Sequence, residues 1–213
     1  MPDRYPGYDI LSKRDTLSWN AITRAVIEKR LSIEDKPNSF SAAEYETVRL
    51  LADRIVPQPV TRSQVPVAAL IDDKLRVDQQ DGYRAPDMPR QREAWRRGLQ
   101  ALDAESQAAH GARFIELTTS QQDALLDRMH QGDMHHAAWE GMKPENFWRQ
   151  RMAHDIVLAY WSHPTAWNEI GWGGPASPRG YVRMGYDERD PWEPAEAVDG
   201  QEEKTLRRNR HVG

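Results

Sequence analysis

From Phe40 to Tyr160 apolar residues recur at three- and four-residue steps and never alternate over the length of a strand, which restricts this stretch to helices. Breakers divide the pattern into blocks. Ser41 and Glu44 have the spacing of a capping box, and Phe40 and Tyr45 flank it as a hydrophobic staple. Val48, Leu51, Ala52 and Ile55 carry that stripe until Pro57 and Pro59 end it. Pro66 suits a first helical position, and Val67, Leu70, Ile71, Leu75 and Val77 follow it towards Asp78. Residues 79–89 are polar, contain Gly82, Pro86 and Pro89, and read as a loop. A helix from Arg90 to His110 then turns Trp95, Leu99 and Leu102 inward and stops at Gly111.

Thr118 to Gln122 open the next helix, which carries Leu125, Leu126 and Met129 and stops at Gly132. Pro144 opens another, running to Tyr160, with Trp148, Met152, Ile156 and Tyr160 inward. Ahead of these, a helix from Ser18 to Leu31 would place Trp19, Ile22 and Val26 on one face, joined by Ile27 or Arg30. It follows an extended arm of residues 1–17. The expected fold is mainly α: an irregular bundle of about six helices, with no internal repeat.

After Tyr160 the pattern stops. Residues 161–193 hold Trp161, Trp167, Trp172 and Trp192, and four glycines and two prolines lie between Gly171 and Gly180. Such a stretch cannot form a helix interior, so a long aromatic, Gly/Pro-rich coil is expected. Large rings favour burial, while coil backbone needs polar partners. Wrapping over the chain's own bundle satisfies both demands, and so does lying against another protein. Trp, Tyr and Arg together are the residues enriched at protein–protein hot spots. The candidate partner interface is therefore Trp161, His163, Trp167, Asn168, Trp172, Arg179, Tyr181, Arg183, Tyr186 and Trp192. One domain is expected overall: arm and first helix (1–39), helical core (40–160), aromatic segment (161–193) and polar tail (194–213). The tail is either frayed or a short helix ordered by a partner.

Composition narrows the chemistry. The 33 acidic and 29 basic residues are interspersed, which leaves no footprint for nucleic acid. Arg90, Arg92, Arg96 and Arg97 cluster, but Asp87 and Glu93 interrupt them, as on a solvated helix face. With no cysteine, a thiol nucleophile, a cysteine-ligated iron–sulfur cluster and covalently attached haem are excluded. No segment approaches the roughly 20 apolar residues of a membrane span. The polar start, Met1 to Tyr8, lacks the pattern of a secretory signal, and Arg4 and Arg14 stand alone rather than as a twin-arginine pair. The expected location is cytoplasmic, or periplasmic if a signal was removed or the partner carries one.

The run His163-Pro164-Thr165-Ala166-Trp167-Asn168-Glu169-Ile170-Gly171-Trp172-Gly173-Gly174-Pro175-Ala176, continuing through Pro178 to Arg183, resembles the gluconate 2-dehydrogenase subunit 3 family. Arg54 to Pro57, Gly98 to Asp103 and Phe114 to Leu126 extend the resemblance over roughly residues 40–193. The resemblance implies a non-catalytic small subunit with no cofactor of its own. It binds and stabilises a large FAD-containing sugar or polyol dehydrogenase of the glucose–methanol–choline type. A cytochrome c is implied as a further partner that takes the electrons. Many members begin with a twin-arginine export signal, which this sequence does not show, so a cytoplasmic complex is expected, with a transient chaperone or export escort of the flavoprotein as an alternative.

Little in the residues argues for catalysis by the chain itself. There is no G-x-S-x-G elbow, and Gly171-Trp172-Gly173-Gly174-Pro175 is not a dinucleotide fingerprint. His135 and His136 are adjacent and point apart. The alternative from another class is a free-standing metal-dependent enzyme using His154, Asp155 and His163, although no ligand spacing such as H-E-x-x-H is present. Ordinary capping and loop contacts are expected for the histidines, and solvated surface for Asp72-Asp73 and Glu202-Glu203. His163, Asn168, Arg179 and Arg183 are the polar residues that would reach the rim of a partner's site.

Overall fold

The computed structural model describes residues 3–60, 62–78, 80–175, 185, 186, 188, 190 and 192–212. The protein is mainly helical, with no strand among the described residues. It divides into two compact units. The central unit comprises Glu34–Gln58 and Pro66–Tyr160; the terminal unit comprises Met1–Ile33, Pro59–Val65 and Trp161–Gly213.

The central unit contains α2 (Ala42–Ile55), α3 (Val67–Arg76), α4 (Gln91–His110), α5 (Thr119–Gln131), α6 (Pro144–Phe147) and most of α7 (Ala153–Ser162). Local chemistry sets these elements as the spacing predicts. Ser41 and Glu44 form the capping box of α2, and Thr118 and Gln121 that of α5. Gly111 ends α4 in the left-handed conformation that favours glycine. Pro66 differs from expectation: it caps α3 with ψ 67° rather than occupying the first helical position.

α2 packs on α3 and α4, and α6 packs on α4 and α5. Trp95, fully buried, lies at the centre, edge-on to Phe40 (6.1 Å) and to Phe147 (5.7 Å). Gly98 makes the α4–α6 approach possible, because a Cβ there would lie 2.2 Å from the Phe147 ring. Trp148 is only half-buried and stacks on His130, whereas Phe147, Met152, Ile156 and Tyr160 are buried. The cause is a π-helical turn, Trp148–Met152, which widens the first step of the stripe to five residues.

Asp72 also departs from expectation. It is 1% exposed, not solvated, and its carboxylate accepts from the backbone N–H groups of Asn38, Ser39 and Phe40. Three donors replace the water that the charge gives up. The arginines of α4 likewise serve specific acceptors: Arg92 donates to the Leu75 and Arg76 carbonyls at the end of α3, and Arg96 to Ser39 O.

In the terminal unit α1 (Ala21–Leu31) begins after Asn20, whose side chain accepts from Thr23 N. Trp19 thus precedes the helix. It is buried with Ile27, while Ile22 and Val26 face outward at 75% and 46% exposure. Of the expected stripe, the helix itself buries Ile27 and not Ile22 or Val26. Residues 3–19 are no extended arm: Asp9 caps a 3-10 turn, Ile10–Lys13, that packs on α8 (Pro164–Trp167). The tail holds α9 (Glu202–Asn209), and it is not frayed. Asn209, 1% exposed, accepts from Ala195 N and donates to the carbonyls of Pro6 and Ala195. Tyr5, Tyr8, Ile10, Trp19, Ile27, Trp167 and Val212 form one buried cluster.

Candidate functional site

The aromatic segment is partly helical. Trp161 and Ser162 complete α7, and His163 caps α8 by accepting from Thr165 N at 3.3 Å. His163 is 5% exposed; burial, reinforced by the nearby Arg30 charge, lowers its pKa to about 4. Arg30 itself donates to Ser162 O at 2.8 Å. Trp167 donates from Nε1 to Trp161 O, and its ring meets that of Trp172 edge-on at 4.6 Å.

Residues 168–174 are then contacted in turn by the chain's own N-terminus. Asn168 Oδ1 accepts from Ile10 N at 2.8 Å, and the Trp172 carbonyl accepts from the Tyr8 hydroxyl at 2.7 Å. Lys13, wholly buried, donates from Nζ to Gly173 O at 2.8 Å and to Trp192 O, and lies over the Tyr8 ring. Gly171 and Gly174 have φ of +60° and +82°, and a Cβ at either would lie 2.4 Å from Tyr5 or Ile10. Only glycine meets both demands, the left-handed backbone and the close approach.

These contacts locate the expected interface residues. His163 and Trp167 are buried, Asn168, Trp172 and Trp192 are half-buried, Trp161 is 37% exposed, and Tyr186 is 99% exposed. Arg179, Tyr181 and Arg183 lie outside the described residues. Between His163 and Gly174 the segment wraps on its own unit.

A second cluster lies in the central unit. Asp155, 3% exposed, accepts from Trp95 Nε1 at 2.8 Å and from Lys74 at 3.2 Å; Arg151 is 3.7 Å away and His154 Nδ1 3.3 Å. Asp81 pairs with Lys74 at 3.1 Å and Arg151 at 2.8 Å. Burial acts to raise the Asp81 carboxyl, but hydrogen bonds from Arg151 and Lys74 outweigh it and hold it below the usual carboxylate range. Asp81, His154 and Asp155 bring candidate ligand atoms within 4.8 Å of one another. Lys74 and Arg151 lie among the same oxygens, however, and already balance both carboxylates. A cation would have to displace an ammonium or a guanidinium. His163 belongs to the terminal unit, and His154 and Asp155 to the central unit. His135 and His136 make capping and loop contacts: His136 Nδ1 accepts from Ala138 N, and His135 lies 3.5 Å from Asp133.

The family described as Gluconate 2-dehydrogenase subunit 3 matches residues 42–174, well over half of the chain. The chain belongs to that family. No curated protein and no solved structure matches it. As the description of gluconate 2-dehydrogenase subunit 3 states, the family is one of subunits of a dehydrogenase complex. The matched span begins with α2 and ends at Gly174, so it takes in the Asp81–Asp155 cluster and the glycines that the N-terminal residues contact. The contacting residues themselves, Tyr5 to Trp19, lie before it. Sequence reasoning missed them: a lone lysine in a polar stretch has no signature, and the only signal was apolar, namely Tyr5, Tyr8 and Ile10 in an otherwise hydrophilic start. Among the described residues no helix is long and apolar enough to cross a membrane.

Proposed function

We propose that the chain is a non-catalytic small subunit that binds and stabilises an FAD-dependent dehydrogenase acting on sugar or polyol hydroxyls. The match of residues 42–174 to a dehydrogenase subunit family carries this reading. Two features of the molecule support it. Lys74, Asp81, Arg151 and Asp155 of the central unit are paired with one another, as in a structural network. The terminal unit also leaves the side chains of Leu17, Ile22, Val60 and Tyr186, each at least three-quarters exposed, open to a partner. The FAD would reside in the large partner, and a cytochrome c would take the electrons from that flavoprotein.

Co-expression with an FAD-dependent dehydrogenase from the same genome tests the reading. The expected product is a yellow complex of fixed stoichiometry, while the chain purified alone binds no flavin and oxidises no sugar. A flavoprotein that is stable and fully active alone, and never co-purifies with the chain, would count against it. An export escort would appear only transiently in such a purification.

The metal-dependent alternative rests on the 4.8 Å grouping of Asp81, His154 and Asp155. Elemental analysis decides it: stoichiometric zinc, iron or manganese, lost on His154→Ala, would favour an enzyme over a subunit.

A further inference from the structure

The residues that hold the 168–174 segment come from outside the family-matched span. Ile10 N, Tyr8 Oη and Lys13 Nζ donate to Asn168, Trp172 and Gly173 in succession, and the Tyr5 and Ile10 side chains fill the space over Gly171 and Gly174. The same stretch is fastened on its other side. Ser12 Oγ donates to Val212 O, the Pro6 carbonyl accepts from Asn209, and Leu206 closes on Gly7. Residues 5–13 are thus a strap buckled between α9 and the aromatic segment, with Tyr5, Tyr8, Ile10 and Lys13 all buried.

Coil with two left-handed glycines has no conformation of its own to fall back on. A carbonyl facing a buried ammonium gains a charge-assisted hydrogen bond that water cannot replace at that depth. We infer that this strap is a positioning device: Lys13 and Tyr8 set the backbone of residues 168–174 and so the form in which that segment is presented to a dehydrogenase subunit. The inference rests on the reading of the chain as such a subunit. It adds that association depends on residues that need not touch the partner.

The test uses the full chain, with Lys13→Met, which keeps an apolar stem and removes the donors, and Tyr8→Phe, which removes one hydroxyl. Two quantities are measured: hydrogen exchange at Trp172 N–H, bonded to Trp167 O, and the dissociation constant for the FAD-dehydrogenase that co-purifies with the wild-type chain. Lys13→Met is expected to speed Trp172 exchange and weaken binding by tenfold or more, and Tyr8→Phe by about fivefold. Amides of α2 and α4 should keep their wild-type rates. Unchanged Trp172 exchange in both variants overturns the inference, and so does faster exchange with unchanged affinity. Should Lys13→Met loosen α2 and α4 as well, Tyr8→Phe decides by the same criteria. Failure of the wild-type chain to capture any flavoprotein is a different result: it removes the proposed function and the docking role of the strap together.

Discussion

In the central unit Trp95 is enclosed by Phe40, Phe147 and Asp155, each on or beside a helix whose start or stop is written within a few residues of it. In the terminal unit Trp167 and Trp172 are enclosed by Tyr5, Tyr8 and Val212, and the hydrogen bonds that hold Asn168, Trp172 and Gly173 to the N-terminal residues join positions some 160 apart. Both interiors are aromatic, and both bury charge. The central unit sets Lys74 and Arg151 against Asp81 and Asp155, and Asp72 against three backbone N–H groups; the terminal unit points Lys13 at the carbonyls of Gly173 and Trp192. Paired charge can serve as a rigid brace for helices that already exist. An ammonium on carbonyls instead gives shape to a segment with little propensity of its own.

Removing one member of the paired network should have the largest effect. Asp155→Asn keeps the size of the side chain and an acceptor for Trp95, yet leaves Lys74 and Arg151 with one buried carboxylate fewer. A loss of about 3 kcal/mol is expected, read by denaturant titration, with hydrogen exchange accelerated first in α4 and α7. Equal acceleration in α1 and α9 would show that the two units share one cooperative transition and would break the comparison. Asp72→Ala comes next. Three backbone N–H groups at residues 38–40 lose their acceptor, and about 2 kcal/mol should be lost. Local loosening should reach Phe40, whose ring rests on Trp95.

The difference between the units also explains what could be read in advance. The caps at Ser41 and Thr118, the stops at Gly111 and Gly132 and the inward Trp95 follow from neighbours within four residues, and the sequence states them directly. The π-turn at Trp148 is local too, but nothing in WRQRM announces it, and it moved Trp148 off the inward stripe. Contacts at long range were the illegible part. The glycines around Gly171 rule out a helix interior, without showing that Tyr5 packs against them. Asp72 looked like any surface acid, because its three partners lie over 30 residues upstream. For the tail, composition leaves both a frayed end and a short helix open, and Asn209 and Val212 hold it down through contacts with the far end of the chain.

A pH titration sharpens the comparison from the side of the terminal unit. His163 stays neutral in the folded protein down to about pH 4, whereas an unfolded chain takes up that proton near pH 6.5. Between these values the unfolded state binds more protons, so stability is lost as pH falls from 6.5 to 4 and is insensitive to this group above 6.5. Because Arg30 is only half-buried and its repulsion is screened, about 2 kcal/mol is expected over the window, less than the full shift would give. His163→Asn, which keeps a capping acceptor for Thr165, should flatten that part of the stability profile. An unchanged slope in the variant would assign the acid loss to other groups.

The smallest effect should come from the feature easiest to read. Ser41→Ala removes one arm of the α2 capping box, the bond from Glu44 N, and leaves the Glu44 carboxylate still able to accept from residue 41 N–H. The helix also keeps its buried face of Tyr45, Val48, Leu51 and Ala52. A cap directs where the chain enters the helix, while the packed face decides whether the helix exists. The expected loss is therefore about 1 kcal/mol, measured as a shift in the urea midpoint at constant slope, with exchange raised only in the first turn of α2. A loss rivalling that of Asp155→Asn would mean that the central unit depends on local signals for stability as well as for register, and its contrast with the terminal unit would then be deeper than the contacts indicate.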